Sequence, residues 1–221
     1  MTRPDAVLFD CDGIVVDSEG PTLALFVEEL ALHGLPLTLE AFEADYLGQT
    51  VEMVARQATA AGARLPDGWV AHFYSRMNEV MLAGVPLIPG LLGVLDALDA
   101  AGIPFAMGSN GSLAKMKISL GQHGIEARFR AVLSGQALGR PKPAPDVYIA
   151  AAAACGAAPE RCAVIEDSAQ GARAGLAAGA RVLGYAPHGA ETATARSLAA
   201  LGVPLFARME QLPDLLGITA L

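Results

Sequence analysis

The chain has 221 residues, of which 53% are hydrophobic and 17% charged; that is enough apolar content for one α/β core with an inserted subdomain, and it argues against disorder. A formal charge of -8, with three lysines (Lys115, Lys117 and Lys142) and no polybasic patch, argues against nucleic acid and anionic membrane as partners. Cys11, Cys155 and Cys162 are odd in number and form no CxxC pair, so a reduced, cytoplasmic chain is expected. Residues 1–5 run directly into the first apolar stretch, and no targeting or membrane-spanning segment is expected.

Ala6-Val7-Leu8-Phe9 reads as a short buried strand, closed by a turn at Gly13. Residues 20–84 read as mostly helical. Leu23, Phe26, Val27, Leu30 and Ala31 recur at helical spacing, and stretches 52–62 and 69–82 behave alike, separated by Gly62 and Pro66-Asp67-Gly68. Gly84, Pro86, Pro89 and Gly90 end that pattern. Helices and short apolar strands then alternate: helix 91–101, strand 103–107, helix 113–123, strand 131–133, helix 144–155, strand 163–165, helix 169–178 and strand 181–183. Such strands predict a parallel sheet covered on both faces. The expected architecture is a doubly wound α/β core formed by residues 1–16 and 86–221, with a small α-helical cap, residues 17–85, inserted after the first strand.

Polar groups follow four of these elements. Asp10 and Asp12 leave the first strand, Gly108-Ser109-Asn110-Gly111 follows the second, Lys142 lies between Pro141 and Pro143 before a helix, and Glu166-Asp167-Ser168 follows the fourth strand. Each has a bland reading: a turn for Asp10-Cys11-Asp12-Gly13, helix caps for Ser109-Asn110 and Asp167-Ser168, a solvated charge for Lys142. Their shared position at strand ends favours a site, because a doubly wound sheet binds ligands there. Two carboxylates two residues apart are costly unless a cation joins them or one keeps a proton. Both conditions suit metal-assisted phosphoryl transfer through an aspartyl nucleophile. Cys11, between the two acids, reads as a small buried filler.

The string Asp10-Cys11-Asp12-Gly13-Ile14-Val15-Val16-Asp17-Ser18-Glu19, with Ser109-Asn110-Gly111, Lys142-Pro143-Ala144-Pro145-Asp146 and Glu166-Asp167-Ser168, resembles the haloacid dehalogenase-like superfamily. It is closest to the small helical-cap branch that includes sugar phosphatases and β-phosphoglucomutases. The resemblance covers nearly the whole chain; Ile14, where many relatives carry Thr, is a departure. It implies a Rossmann-like core and a Mg²⁺-dependent phosphatase working through an aspartyl-phosphate. In that reading Asp10 is the nucleophile and Asp12 the general acid and base. Mg²⁺ takes oxygens from Asp10, the Asp12 carbonyl, Asp167 and Glu166. Ser109 and the Asn110 amide, at a helix N-terminus, hold phosphoryl oxygens, and Lys142 neutralises the nucleophile and the transferring group. Gln49, in the polar break Gly48-Gln49-Thr50, and Arg76 are the cap residues expected to meet the substrate, a small phosphorylated sugar or sugar acid. The chain crossings near 15–17 and 84–89 are expected hinges, and a monomer is the default.

Other readings remain beside it. An EF-hand fails on residue type, as position 21 is Pro, and no GxxxxGK motif exists. Carbon–halogen-cleaving relatives lack the second Asp, and phosphonate-cleaving relatives use a cap Lys that residues 17–84 do not contain. His33, His72, His123 and His188 show no triad or zinc spacing. A phosphomutase is the runner-up. Its relatives carry a cap His and a phosphate-gripping cap Arg where this chain has Thr22 and Val51, with Arg56 or Arg76 as replacement cations. A non-catalytic metabolite-binding protein is the third reading.

Overall fold

In a computed structural model, residues 3–46, 49 and 51–218 are described. The chain divides into two compact units, Met1–Asp17 with Pro86–Leu221, and Ser18–Val85.

The first unit is built on six parallel strands: β1 (Ala6–Phe9), β2 (Phe105–Ser109), β3 (Val132–Ser134), β4 (Cys162–Glu166), β5 (Arg181–Tyr185) and β6 (Leu205–Phe206). Their order is β3-β2-β1-β4-β5-β6. Order reverses beside β1, the switch point at which doubly wound sheets open a crevice. All four β1 residues are buried, because helices cover both faces of the sheet. On one face Ala6, Leu8, Ala106 and Val164 join buried residues of α7 (Asp146–Ala154), α8 (Ala169–Ala177) and α9 (Ala193–Ala199) in one apolar cluster. The alternate residues Phe9 and Phe105 make edge-to-face contacts with each other and with Phe129. Helices α5 (Leu91–Ala100), α6 (Leu113–Gln122) and α10 (Leu212–Leu215) complete this unit.

Several details differ from the sequence expectation. Strand β2 starts at Phe105 rather than Ile103, since the Ile103 amide closes α5 by donating to Leu98 O. It extends to Ser109, which pairs with Ser134. Helix α6 opens at Leu113, as its pattern predicts, with Ser112 as its cap, so Ser109-Asn110 lie ahead of its N-terminus rather than at it. Strand β6 and helices α9 and α10 carry too few residues for a periodic signal.

The inserted unit contains α1 (Glu19–Leu32), α2 (Leu39–Tyr46), α3 (Val51–Ala60) and α4 (Trp69–Ala83). Its core is aromatic: Phe26 stacks on Phe73 and Phe42, Phe42 on Tyr46, and Trp69 leans on Phe73. Within it lies a charged group, Glu29 of α1, 2% exposed. Its carboxylate accepts hydrogen bonds from Trp69 Nε1 at 3.3 Å and Arg76 Nη1 at 3.2 Å. Replacing Glu29 by Ala strands the indole N–H and removes the acceptor that ties α1 to α4. The expected loss is about 2–3 kcal/mol of stability by urea denaturation. A variant within about 0.5 kcal/mol of wild type refutes that role, since such a change is typical of an ordinary surface site.

Candidate active site

Strand β1 ends at Phe9, and the chain then makes a tight loop. Asp10 N still donates to Ile165 O of β4, while the amides of Val15 and Val16 return to Cys11 O. Gly13 N donates to Val16 O, and Val16 pairs with Leu87 where the chain re-enters this unit. Gly13 has φ +77°, and a Cβ there would meet Asp167 Oδ2 at 2.0 Å. Only glycine lets the loop close this tightly on the acid.

Asp10 is 8% exposed and Lys142 4%. The Lys142 ammonium donates to Asp10 Oδ1 at 2.6 Å, to Glu166 Oε1 at 2.6 Å and to the Tyr148 hydroxyl at 2.8 Å. All three of its protons are thereby used. Tyr148 passes its own proton to Glu166 Oε1 at 2.9 Å. Glu166, fully buried, accepts at Oε2 from the amides of Asp167 and Ser168 and from Ser168 Oγ. A Cβ on Gly171 of α8 would fall 1.5 Å from Glu166 Oε1, so that glycine gives the carboxylate its place.

The backbone of Lys142 is fixed as firmly as its side chain. Asn110 accepts from Lys142 N at 2.7 Å and donates to Lys142 O at 3.2 Å, and Gln170 Nε2 donates to the same carbonyl at 2.7 Å. Asn110 therefore uses its side chain as a clamp on the lysine segment, and its amide does not open a helix. Ser109, buried at the end of β2, accepts from Gly111 N at 3.1 Å. Asp12 turns outward from the loop, with Oδ1 accepting from Lys115 Nζ at 3.1 Å.

Electrostatics in this cluster are strained by burial. Desolvation, reinforced by Glu166 and opposed by Lys142, raises Asp10 to about 7. Burial alone would lower Lys142; the Asp10 and Glu166 carboxylates outweigh it and hold the ammonium above its ordinary value. Burial pushes the Tyr148 hydroxyl and the Cys11 thiol well up, so both stay protonated at neutral pH.

Asp10, Glu166 and Asp167 each offer a carboxylate oxygen, and these oxygens lie within 4.8 Å of one another. Such an all-oxygen set fits a hard divalent cation. Its members are unequal, because Glu166 already accepts five hydrogen bonds where a carboxylate offers about four lone-pair sites. Asp10 and Asp167 are the better donors.

In the inserted unit, Gln49 Nε2 donates to Asp45 O and Gln57 Oε1; Gly48 and Thr50 lie outside the described residues. Arg76 is engaged by Glu29, with Glu28 and Glu79 close by. Sequence reasoning missed Tyr148, Gln170, Gly171 and Lys115. A buried tyrosine in an apolar helix does need a partner for its hydroxyl, and that was the one available signal for Tyr148.

The chain is similar to several known proteins. Residues 4–179 match the family described as haloacid dehalogenase-like hydrolase. Hexitol phosphatase A of Escherichia coli (strain K12) is 30% identical over 185 residues, covering 82% of each chain. The 6-phosphogluconate phosphatase of the same organism is 30% identical over 220 residues, covering 97% of this chain and 96% of that one. A solved HAD family hydrolase from Deinococcus radiodurans R1, with bound phosphate and sodium, matches with a TM-score of 0.84 at 35% identity, covering 100% of this chain and 99% of that one. With its parallel sheet, its acid pair at the end of β1 and a family match over most of its length, the chain belongs to the haloacid dehalogenase-like hydrolases.

Proposed function

We propose that this protein is a Mg²⁺-dependent phosphatase that hydrolyses a small phosphorylated sugar or sugar acid through an aspartyl-phosphate. The buried contact of Lys142 with Asp10 and Glu166, beside Asp167, carries the reading. The hexitol and 6-phosphogluconate phosphatases, and the phosphate bound in the Deinococcus relative, support the substrate class.

Asp10 attacks phosphorus through a carboxylate oxygen while the bond to the leaving oxygen breaks, and Asp12 gives that oxygen a proton. Asp12 then takes a proton from water as the water attacks phosphorus. Inorganic phosphate leaves and the Asp10 carboxylate is restored. Lys142 orients the nucleophile and offsets charge on the phosphoryl group, and Glu166 anchors Lys142. Asp10 and Asp167, with the Asp12 carbonyl, would hold Mg²⁺, which would supply charge neutralisation at the phosphoryl oxygens. Ser109, at the end of β2, donates to one of those oxygens in this reading.

The test is phosphate release from p-nitrophenyl phosphate and a panel of sugar phosphates, with Mg²⁺ and with EDTA. Mg²⁺-dependent release is expected. Conversion of glucose 1-phosphate to glucose 6-phosphate, given a trace of the bisphosphate, would instead establish the mutase. No turnover of any kind would leave the binding protein.

A pH dependence follows from the raised Asp10. Proton and cation compete for the same oxygens, so Mg²⁺ affinity is expected to weaken below pH ~7 by up to about tenfold per unit, and to level off above it. Calorimetric titration across that range measures this, and a flat profile contradicts it.

A further inference from the structure

The proposed hydrolysis gives Tyr148 no task, yet its hydroxyl stands among the buried charges of the site. The residue lies on α7 and is fully buried. Filling that space does not call for a hydroxyl, since Phe has nearly the same volume and needs no hydrogen-bond partner. The ring is seated against β2 where Gly108 makes room: a Cβ there would stand 3.3 Å from Tyr148 Cδ1 and 3.4 Å from Cε1.

The contacts of the hydroxyl run in a fixed order. Burial keeps it protonated, and an ammonium can only donate. Tyr148 therefore accepts from Lys142 Nζ at 2.8 Å and gives its own proton to Glu166 Oε1 at 2.9 Å. The same ammonium lies 4.6 Å from the centre of the Tyr148 ring, within cation–π range. Without the hydroxyl, one of the three Lys142 protons would be stranded in a buried site. The other two point at Asp10 and Glu166, and in the proposed reaction those acids behave differently. Glu166 keeps its charge, whereas Asp10 gives up its negative charge when its oxygen bonds to phosphorus. An ammonium held by the two anions alone would then be drawn towards Glu166. A neutral acceptor exerts the same pull in both states.

We propose that Tyr148 is a positioning residue for the hydrolysis: its hydroxyl ties the Lys142 ammonium to Glu166 in one orientation and keeps a proton aimed at Asp10 as the charge on Asp10 changes. The inference rests on the phosphatase reading above. Tyr148→Phe tests it, because the ring and its packing on β2 remain. With p-nitrophenyl phosphate and Mg²⁺, kcat is expected to fall by about tenfold to a hundredfold while KM stays within about twofold, the mark of an interaction that counts in the transition state. Inhibition separates orientation from packing. The variant should bind vanadate, a mimic of five-coordinate phosphorus, about tenfold more weakly, with inorganic phosphate bound as before. A folded variant with wild-type kcat overturns the inference. So does a parallel loss of vanadate and phosphate affinity, or a rise in KM alone, which a general loosening of the site would produce. A variant that circular dichroism shows to be unfolded also overturns it, since the hydroxyl then serves stability. If wild type itself releases no phosphate from this ester or from the sugar phosphates with Mg²⁺ present, the phosphatase reading falls as well.

Discussion

Asp10→Asn is expected to lower phosphate release by about 10⁴-fold or more while raising the stability of the metal-free protein at pH ~8. The amide is nearly isosteric, and its oxygen can still accept from Lys142 Nζ, so the fold has no reason to change. What disappears is the anion that attacks phosphorus. The stability effect has the opposite sign because Asp10 is raised from 3.8 to about 7 in the folded chain. Below pH ~4 the acid is protonated whether folded or not, and its contribution to stability is complete. Between that pH and about 7 the unfolded carboxylate ionises first, and stability is lost as pH rises through the folded value. A rise from 3.8 to about 7 corresponds to about 4 kcal/mol at most. The Asn variant escapes this loss. Urea melts in EDTA should therefore diverge by a few kcal/mol towards pH ~8 and converge near pH ~4. Parallel curves, or an Asn variant that keeps appreciable turnover, contradict the assignment.

The parts of this site that sequence reveals are those attached to strand ends. Asp10, Ser109 and Glu166 each stand at the end of an apolar stretch, and a parallel sheet brings such ends to one edge by its own symmetry, whereas Lys142 reaches them from the loop between β3 and α7. The contacts that give those residues their chemistry have no local signal. Lys142 meets Asp10 across 132 positions and Lys115 meets Asp12 across 103. Asn110 shows how the same residue type supports two roles. A strand followed by Ser-Asn-Gly suggests a cap, but pairing of Ser109 with Ser134 lengthens β2 and leaves the Asn110 side chain beside the Lys142 backbone. Glu166 combines two roles likewise: sequence suggests a ligand, its carboxylate stands with those of Asp10 and Asp167, and five donors also surround its oxygens. The longer helices are legible from periodicity over ten or more residues and the inner strands as short apolar runs, whereas the two-residue β6 is fixed only by its neighbours, β5 and the Pro204 carbonyl that accepts from Gly184 N.

Lys142→Met should cost both activity and stability, and the two losses have separable causes. Met matches the volume of the lysine stem but donates no proton, so Asp10, Tyr148 and Glu166 each lose a partner. Phosphate release should fall by about 10³-fold, as when a preorganised donor is removed from developing charge. Glu166 then remains fully buried beside Asp10 without a countercharge, and breaking such a buried pair costs about 3–5 kcal/mol. Lys142→Arg is no rescue, because a planar fork cannot aim three donors at convergent acceptors as an ammonium does. The double variant Lys142→Met, Glu166→Gln separates the effects. Removing the stranded carboxylate should recover about 2 kcal/mol relative to Lys142→Met, while turnover stays at the single-variant level. Urea denaturation and phosphate release on the same preparations decide it. If the double variant is no more stable than the single, Glu166 does not depend on Lys142 for its charge balance; if turnover returns, the ammonium is not part of the chemistry.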